Sequence, residues 1–302
     1  MKVHMIGLGK MGLNISRNMK RNGIDVLGFD IDETICEAAN KEGIPTADSL
    51  DSLLDPNERN IVWTMLPAGS ITDAMIEKLA QQLKPGDIVI DGGNSNYKDS
   101  LRHYDLLKEK GIYFLDAGTS GGMHGALYGA NYMVGGDQEA FDLVEEIFQK
   151  TAAPDGYLYT GEAGSGHYLK MVHNGIEYGM MQAIAEGFDV LEHSRYDYDN
   201  AKVAKLWNHG SVIRSWLVEL MEEAFQEDPK LDHVKGVMFS SGEGQWTIEE
   251  ALELKVPVPV IAMAQMMRNR SLENDTFTGK VVASMRKGFG GHKIIKGDQQ
   301  HE

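Results

Sequence analysis

The segment GLGKMG, Gly7 to Gly12, constrains the fold of this chain more than any other stretch. It follows directly on the apolar run KVHMI and opens the helix-forming stretch MGLNISRNMKRNG. In a strand–turn–helix setting the three glycines of G-x-G-x-x-G have separate jobs. Gly7 permits the tight turn, Gly9 lets the backbone come close to a pyrophosphate, and Gly12 lets the helix pack closely on the strand. The helix N-terminus then presents free N–H groups and the positive end of its dipole to an anion. A plain tight βα turn is the alternative, and the flanking strand and helix weigh against it.

The second apolar run, DVLGFD, ends in Asp30 and continues with Ile31 and Asp32. A carboxylate at that point accepts hydrogen bonds from the ribose hydroxyls of NAD and repels the 2′-phosphate of NADP, with no arginine nearby to offset it. NAD is therefore the expected cofactor and NADP the weaker alternative. Asp30 could instead cap the next helix, a role also open to Asp32.

Three further short apolar runs, NIVWTMLP, DIVIDGG and GIYFLDAG, are separated by helix-length segments. This spacing predicts parallel strands in βαβ units. YMVGG and YLYTG read as two more short strands. Beyond Gly164 the strands stop, and helices are expected over roughly 167–193, 200–225 and 247–254. PVPVIAMAQMMRNRS then places its prolines where a helix could begin. The glycine-rich joint Gly161-Glu162-Ala163-Gly164 predicts the domain boundary. The expected organisation is an α/β, Rossmann-type doubly wound domain over 1–163 and an all-helical domain over 164–302.

With 302 residues the chain can build two cores. Its net charge of −16 argues against a general nucleic-acid binder, which needs clustered Lys and Arg. A phosphorylated ligand asks only for a local basic pocket. Cys36 is the sole cysteine, so neither an intramolecular disulfide nor a thiolate metal cluster can form. The N-terminal apolar run is too short for a secretory signal, and no segment approaches a membrane span. A cytoplasmic protein is expected.

HYLKMVHNGIEYG, His167 to Gly179, mixes reactive side chains into a helical pattern. With Lys170 at 0°, ideal helix geometry puts Glu177 near about −20°, Asn174 near about +40°, His173 near about −60° and Tyr178 near about +80°. All five fall on one side, and Met171, Val172, Ile176 and Met180 take the other directions. Gly175 and Gly179 each cost the helix about 1 kcal/mol relative to alanine, so something must come close there. An exposed polar face pairing Lys170 with Glu177 is the plain alternative. The sharper reading is a substrate face with a proton-transfer pair, in which a lysine acts as a base only when its pKa falls well below the usual value of about 10.4.

The run GAGSGHYLKMVHNGIEYG resembles the active-site signature of the 6-phosphogluconate dehydrogenases, within the wider β-hydroxyacid dehydrogenase superfamily. DGGNS (Asp91 to Ser95) and DAGTSGGMHGALYG (Asp116 to Gly129) are similar to that family's motifs too. The likeness runs from Met1 to about Lys296, and the length matches the short-chain form. It implies oxidative decarboxylation of 6-phospho-D-gluconate to ribulose 5-phosphate and carbon dioxide, with reduction of the cofactor and no metal. Lys170 would take the proton from the C3 hydroxyl and, once protonated, polarise the resulting ketone. Glu177 would then protonate C1 of the enediol, a division of labour that general acid–base chemistry permits.

By the same resemblance His173 and Asn174 would hold substrate hydroxyls, while Asn94 and the Ser120-Gly121-Gly122 turn would hold substrate and nicotinamide together. The expected cofactor site comprises Gly7, Leu8, Gly9, Lys10, Met11, Gly12, Asp30, Leu66, Pro67 and Asn94. The second domain would bind substrate and carry self-association, as a homodimer or homotetramer in which the tail of one subunit completes the site of another.

From Arg268 to Lys296 there are seven Lys/Arg against Glu273 and Asp275, so this segment is +5 and the remaining chain −21. A basic tail on an acidic protein suits recruitment of an anion, although a solvated basic helix has the same composition. The resemblance places Tyr178 and Arg268 at phosphate-contacting positions, with Arg286 and His292 in MRKGFGGH. Where long-chain members carry a phosphate-binding lysine, this chain has Gln245 in GEGQWT, a neutral amide that can still hydrogen-bond phosphate. Two other readings compete: a dehydrogenase of an unphosphorylated 3-hydroxy acid, and a non-catalytic NAD-binding regulator. The basic tail and the Glu177-Tyr178 pair oppose the first. The presence of both Lys170 and Glu177 opposes the second.

Overall fold

The computed structural model describes residues 1–290 and 293–295. The chain forms two compact units, Met1–Asn174 and a second that begins at Gly175. In the first unit β1 (Lys2–Ile6), α1 (Lys10–Arg21), β2 (Asp25–Phe29), α2 (Glu33–Lys41), α3 (Leu50–Leu53) and β3 (Ile61–Thr64) follow in turn. They continue with α4 (Ser70–Gln82), β4 (Ile88–Asp91), α5 (Tyr97–Lys108) and β5 (Tyr113–Ser120). The five strands are parallel, as the sequence pattern predicts, in the order β2-β1-β3-β4-β5.

β3 and β4 are buried along their whole length, as strands covered on both faces must be. One face of the sheet, with Val3, Met5, Trp63, Ile88 and Ile90, packs with Ile15 and Met19 of α1. The other, with Ile6, Val62, Val89 and Phe114, packs with Ile76 and Leu79 of α4 and Leu107 of α5. Helices on both faces of one sheet make this a doubly wound α/β unit.

α6 (Gly122–Tyr128), β6 (Ala130–Gly136), α7 (Gln138–Thr151) and β7 (Ala152–Gly161) extend the sheet. β6 runs antiparallel to β5, and β7 runs parallel to β6. The reversal has a simple cause. Only the short α6 and its flanking glycines join β5 to β6, and a parallel crossover needs roughly a dozen residues or more.

α8 (Ser165–Glu192) opens in the first unit and continues into the second. There α9 (Asn200–Asn208), α10 (Trp216–Glu227), α11 (Glu243–Glu253), α12 (Pro259–Ser271) and α13 (Phe277–Gly290) follow. The single helix expected over 200–225 is two helices. Gly210 takes a positive φ of +83°, and Ser215 caps α10 by accepting from the Val218 N–H, so the first helix stops and a second begins. Pro259 sits in the first turn of α12, where its missing N–H costs nothing. Phe188, Ala204, Val218 and Phe225 form the core shared by α8, α9 and α10.

His4, buried in β1, titrates well away from its usual range. Burial, helped by Lys2, lowers its pKa from 6.5 to about 4. The unfolded chain therefore takes up a proton between pH 6.5 and 4 that the folded chain refuses. This contribution to stability is complete above pH 6.5 and is lost as pH falls toward 4, up to about 3 kcal/mol. His4→Gln should flatten the acid limb of stability measured by urea denaturation across that window; an unchanged slope would place the acid sensitivity elsewhere.

Candidate active site

The cofactor loop is built as the sequence demands. Gly7 has φ +92°, and its N–H donates to the Phe29 carbonyl at 2.9 Å. A Cβ on Gly7 would press on the Met65 carbonyl, and one on Gly12 would collide with the Gly7 carbonyl. Protein packing thus accounts for both glycines. A Cβ on Gly9 would meet nothing within 4 Å, yet Gly9 stands at the N-cap of α1 with no side-chain cap over the helix amides. The open space at Gly9 and the uncapped amides fit a pyrophosphate.

Asp30 binds the loop from the end of β2. Its Oδ2 accepts from the Leu8 N–H at 2.8 Å and its Oδ1 from the Asp32 N–H at 3.0 Å. Asp32, not Asp30, caps α2 through the Thr34 N–H at 2.8 Å. The Asp30 carboxylate is therefore held at the rim of the loop, where sequence reasoning expects the ribose. Leu66 packs against Gly7, and its carbonyl lies against Gly93. Pro67 accepts from the Thr72 hydroxyl at 2.8 Å, fixing the turn into α4. Lys10 is exposed at the start of α1, with Met11 half-buried behind it.

Two adjacent parallel strands carry buried aspartates paired in register, Asp91 at the end of β4 and Asp116 midway along β5. Asp91 shapes the DGGNS turn by accepting from the Ser95 hydroxyl at 2.7 Å and the Gly93 N–H at 3.1 Å. This holds Asn94, half-buried, between two fixed neighbours. Asp116 accepts from the N–H groups of Gly164 and His167, each at 2.7 Å. Burial pushes the Asp116 carboxyl up, while His167 and the two N–H donors pull it back. Hydrogen bonds to a charged group contribute roughly 1.5–3 kcal/mol each, so this clasp anchors the first turn of α8.

Backbone packing completes that anchor. A Cβ on Gly166 would collide with the Asp116 and Met133 carbonyls, and one on Gly118 would collide with the Cβ of Lys170. The stem of Lys170 therefore lies directly on β5. Its Nζ donates to Asn174 Oδ1 at 2.7 Å, and His173 Nδ1 lies 2.9 Å from the same oxygen. His173 Nε2 in turn lies 3.3 Å from Ser120 Oγ, next to Gly121 and Gly122 at the start of α6. Lys170, His173, Asn174 and Ser120 are brought together as a chain of polar groups. Lys170 and Asn174 are each only 8% exposed, whereas Ile176 and Met180 on α8 are 53% and 43% exposed. This is the reverse of an ordinary amphipathic helix, and it sets aside the solvated-face alternative.

In the second unit, Arg268 lies over the Tyr178 ring at 3.7 Å from its centroid, and its Nη1 donates to the Phe239 carbonyl at 2.8 Å. The Tyr178 hydroxyl accepts from the Ser241 N–H at 3.3 Å. The sequence-predicted pair Tyr178 and Arg268 is thus assembled. Glu177 precedes Tyr178 and is half-buried. Gln245 lies on the exposed side of α11 and donates to Glu249 at 2.7 Å, one turn on. Arg286 is exposed on α13, and His292 lies outside the described residues.

Sequence reasoning passed over Asp91, Asp116, Ser100 and His167, although all four are buried. Ser100 Oγ lies 2.7 Å from His167 Nδ1. One signal was available: two successive apolar runs, DIVID and YFLD, each close on an aspartate. A carboxylate in a buried strand has no apolar role and must be satisfied by nearby donors.

Residues 2–164 match the NAD-binding domain of 6-phosphogluconate dehydrogenase, and residues 166–294 match the 6-phosphogluconate dehydrogenase C-terminal domain. The chain is 56% identical over 299 residues to the protein YqeC of Bacillus subtilis (strain 168), covering 98% of this chain and 100% of YqeC. It is 42% identical over 305 residues to the NAD(+)-dependent, decarboxylating 6-phosphogluconate dehydrogenase of Haloferax volcanii, covering 99% of this chain and 100% of that protein. Among solved structures it resembles the 6-phosphogluconate dehydrogenase of Plasmodium falciparum with a TM-score of 0.82 and 32% identity, over 100% of this chain and 67% of the other. With a pyrophosphate-ready glycine loop in the first unit, a buried lysine on α8, and both halves matched, the chain belongs to the 6-phosphogluconate dehydrogenase family.

Proposed function

We propose that this protein oxidatively decarboxylates 6-phospho-D-gluconate to D-ribulose 5-phosphate and carbon dioxide, using NAD in preference to NADP, as a cytoplasmic enzyme of the pentose phosphate pathway. The observation that carries the reading is the hydrogen-bonded chain of Lys170, Asn174, His173 and Ser120, its lysine buried against β5. Residues 1–163 serve the cofactor, and residues from 164 onward serve substrate and self-association. The compact division falls later, after Asn174, because the first turns of α8 dock on β5 and β6.

Bound NAD would supply the acceptor for the hydride that leaves C3 of the substrate. Gly7, Leu8, Gly9, Lys10, Met11 and Gly12 would hold its pyrophosphate, Asp30 its ribose, and Leu66, Pro67 and Asn94 its remaining length. Lys170 takes the proton of the C3 hydroxyl, and Asn174 fixes the direction of its Nζ. As an ammonium it then polarises the C3 ketone while the carboxylate at C1 leaves as carbon dioxide. Glu177, two turns along α8, delivers the proton that completes the enediol's conversion to product. His173, Ser120, Gly121 and Gly122 orient the hydroxyls, with proton-sharing contacts already in place at His173.

Tyr178 and Arg268 form the phosphate end, with Gln245, Arg286 and His292 as further contacts. The guanidinium held over the Tyr178 ring keeps N–H donors available for an anion. Self-association is supported by apolar surface on the second unit. Phe277, Val281, Met285 and Phe289 recur at four-residue spacing on α13, which buries none of its residues. Val260, Met263 and Met266 are exposed on α12 as well. Apolar surface in such contiguous runs marks a binding face.

Initial rates of nicotinamide reduction, followed by absorbance, should be high with 6-phosphogluconate and NAD, and far lower with gluconate or with NADP. Equal turnover of gluconate would refute the phosphorylated substrate, and a strong NADP preference would refute the role of Asp30. Lys170→Met should lower kcat by roughly 10²–10⁴-fold while NAD still quenches protein fluorescence; full activity would remove Lys170 as the base. Arg268→Ala should raise KM for 6-phosphogluconate about 10- to 100-fold and leave residual gluconate turnover unchanged, whereas parallel losses on both would mean that Arg268 acts through the fold.

A further inference from the structure

The first turn of α8 is held by a set of buried groups that make no part of the proposed chemistry. Asp116 bonds the N–H groups of Gly164 and His167 at 2.7 Å each. The His167 ring, 1% exposed, meets Ser100 of α5 at 2.7 Å through Nδ1. The Ser100 hydroxyl also lies 3.4 Å from the Asn96 carbonyl. If it donates there, its lone pairs face His167, which sets the tautomer with the proton on Nδ1. His167 Nε2 is buried and has no hydrogen-bond partner among the described residues. As a bare acceptor it leaves that end of the ring unheld, so Ser100 alone fixes the ring's direction.

His167 and Lys170 are three residues apart and so share one face of the helix, one turn from each other. Rolling the first turn of α8 by a fraction of a turn would move both together. Three features oppose that roll: Asp116 from β5, Ser100 from α5, and the backbone contacts of Gly166 and Gly118. Asn96, which receives the Ser100 hydroxyl, also caps α5 directly after the DGGNS turn that carries Asn94. The same connection therefore ties the Asn94 turn to the turn that carries Lys170.

We propose that Asp116, His167 and Ser100 are positioning residues that lock the helical phase of Lys170 for proton transfer. The proposal rests on Lys170 as the base in the reading above. Displacing a reacting group by about 1 Å can cost about 10²-fold in rate. The loss falls on the chemical step, not on cofactor binding, because none of the three residues belongs to the glycine loop or the Asp30 rim.

The test uses the full-length protein and the variants Asp116→Asn, His167→Leu and His167→Asn. Asparagine at 167 keeps an N–H donor near the Nδ1 position, and leucine does not. Asp116→Asn and His167→Leu should lower kcat roughly 10- to 100-fold, with the dissociation constant for NAD changed less than twofold. The solvent deuterium isotope effect on kcat should rise in both, since proton transfer to Lys170 becomes limiting. His167→Asn should restore kcat to within about threefold of the parent, and amide exchange over residues 164–174 should quicken in the two impaired variants only. Values of kcat within twofold of the parent in both Asp116→Asn and His167→Leu, measured well below their unfolding temperatures, would overturn the proposal. So would a loss of kcat without a rise in the isotope effect. Should the parent fail to turn over 6-phosphogluconate, the functional reading fails by itself. Exchange over 164–174 then decides the positioning role, and unchanged exchange in Asp116→Asn and His167→Leu would sink it.

Discussion

The paired hydrogen bonds from Gly164 and His167 to the Asp116 carboxylate are the interaction on which the candidate site depends. They place a negative group at the N-terminus of α8, where the helix dipole favours it and the first amides lack helical partners. The cost of burying that carboxyl group is offset in part by two short donors, and the donors are satisfied in return. Without this exchange the start of α8 would lose its cap and one of the three contacts that fix its phase. Lys170, His173 and Asn174 take their direction from that phase.

The anchor explains why the neighbourhood is so rich in glycine. Gly118 and Gly166 stand where two backbones touch, and even a methyl group would force the helix off the sheet. The result is that the stem of Lys170 rests on strand backbone and only its Nζ is left to make polar contacts. The same logic appears at the other loop. Gly7 and Gly12 are required by the protein itself, while Gly9 faces open space. Close backbone approach thus serves two ends in one unit: it seats the Lys170 stem on β5 and packs the glycine loop against β3.

Some of the site was legible in the sequence because it depends on local spacing. The strand–glycine–helix order of residues 2–21 and the grouping of Lys170, His173 and Asn174 on one side of α8 follow from helix and strand periods alone. The break between α9 and α10 was missed, since a single Gly210 inside a helical pattern is often tolerated. The capping role that the sequence left open to Asp30 or Asp32 falls to Asp32, because Asp30 turns back to Leu8, a residue 22 positions earlier that no local pattern could supply. Asp116, Ser100 and His167 stayed hidden for the same reason: each reads as an ordinary polar residue until its distant partner is known.

Taken alone, the amino-acid sequence determined the βα units, the glycine loop, the acidic end of β2 and the polar face of α8, all set by periodicities of two and 3.6 residues and by glycine's lack of a side chain. The tertiary structure decided the rest. It buried Lys170 and Asn174 while exposing Ile176 and Met180, and joined Asp116 to residues 164 and 167. These outcomes belong to contacts between segments some 50 residues apart. Their register is chosen by the packing of whole layers, which no local stretch of chain encodes.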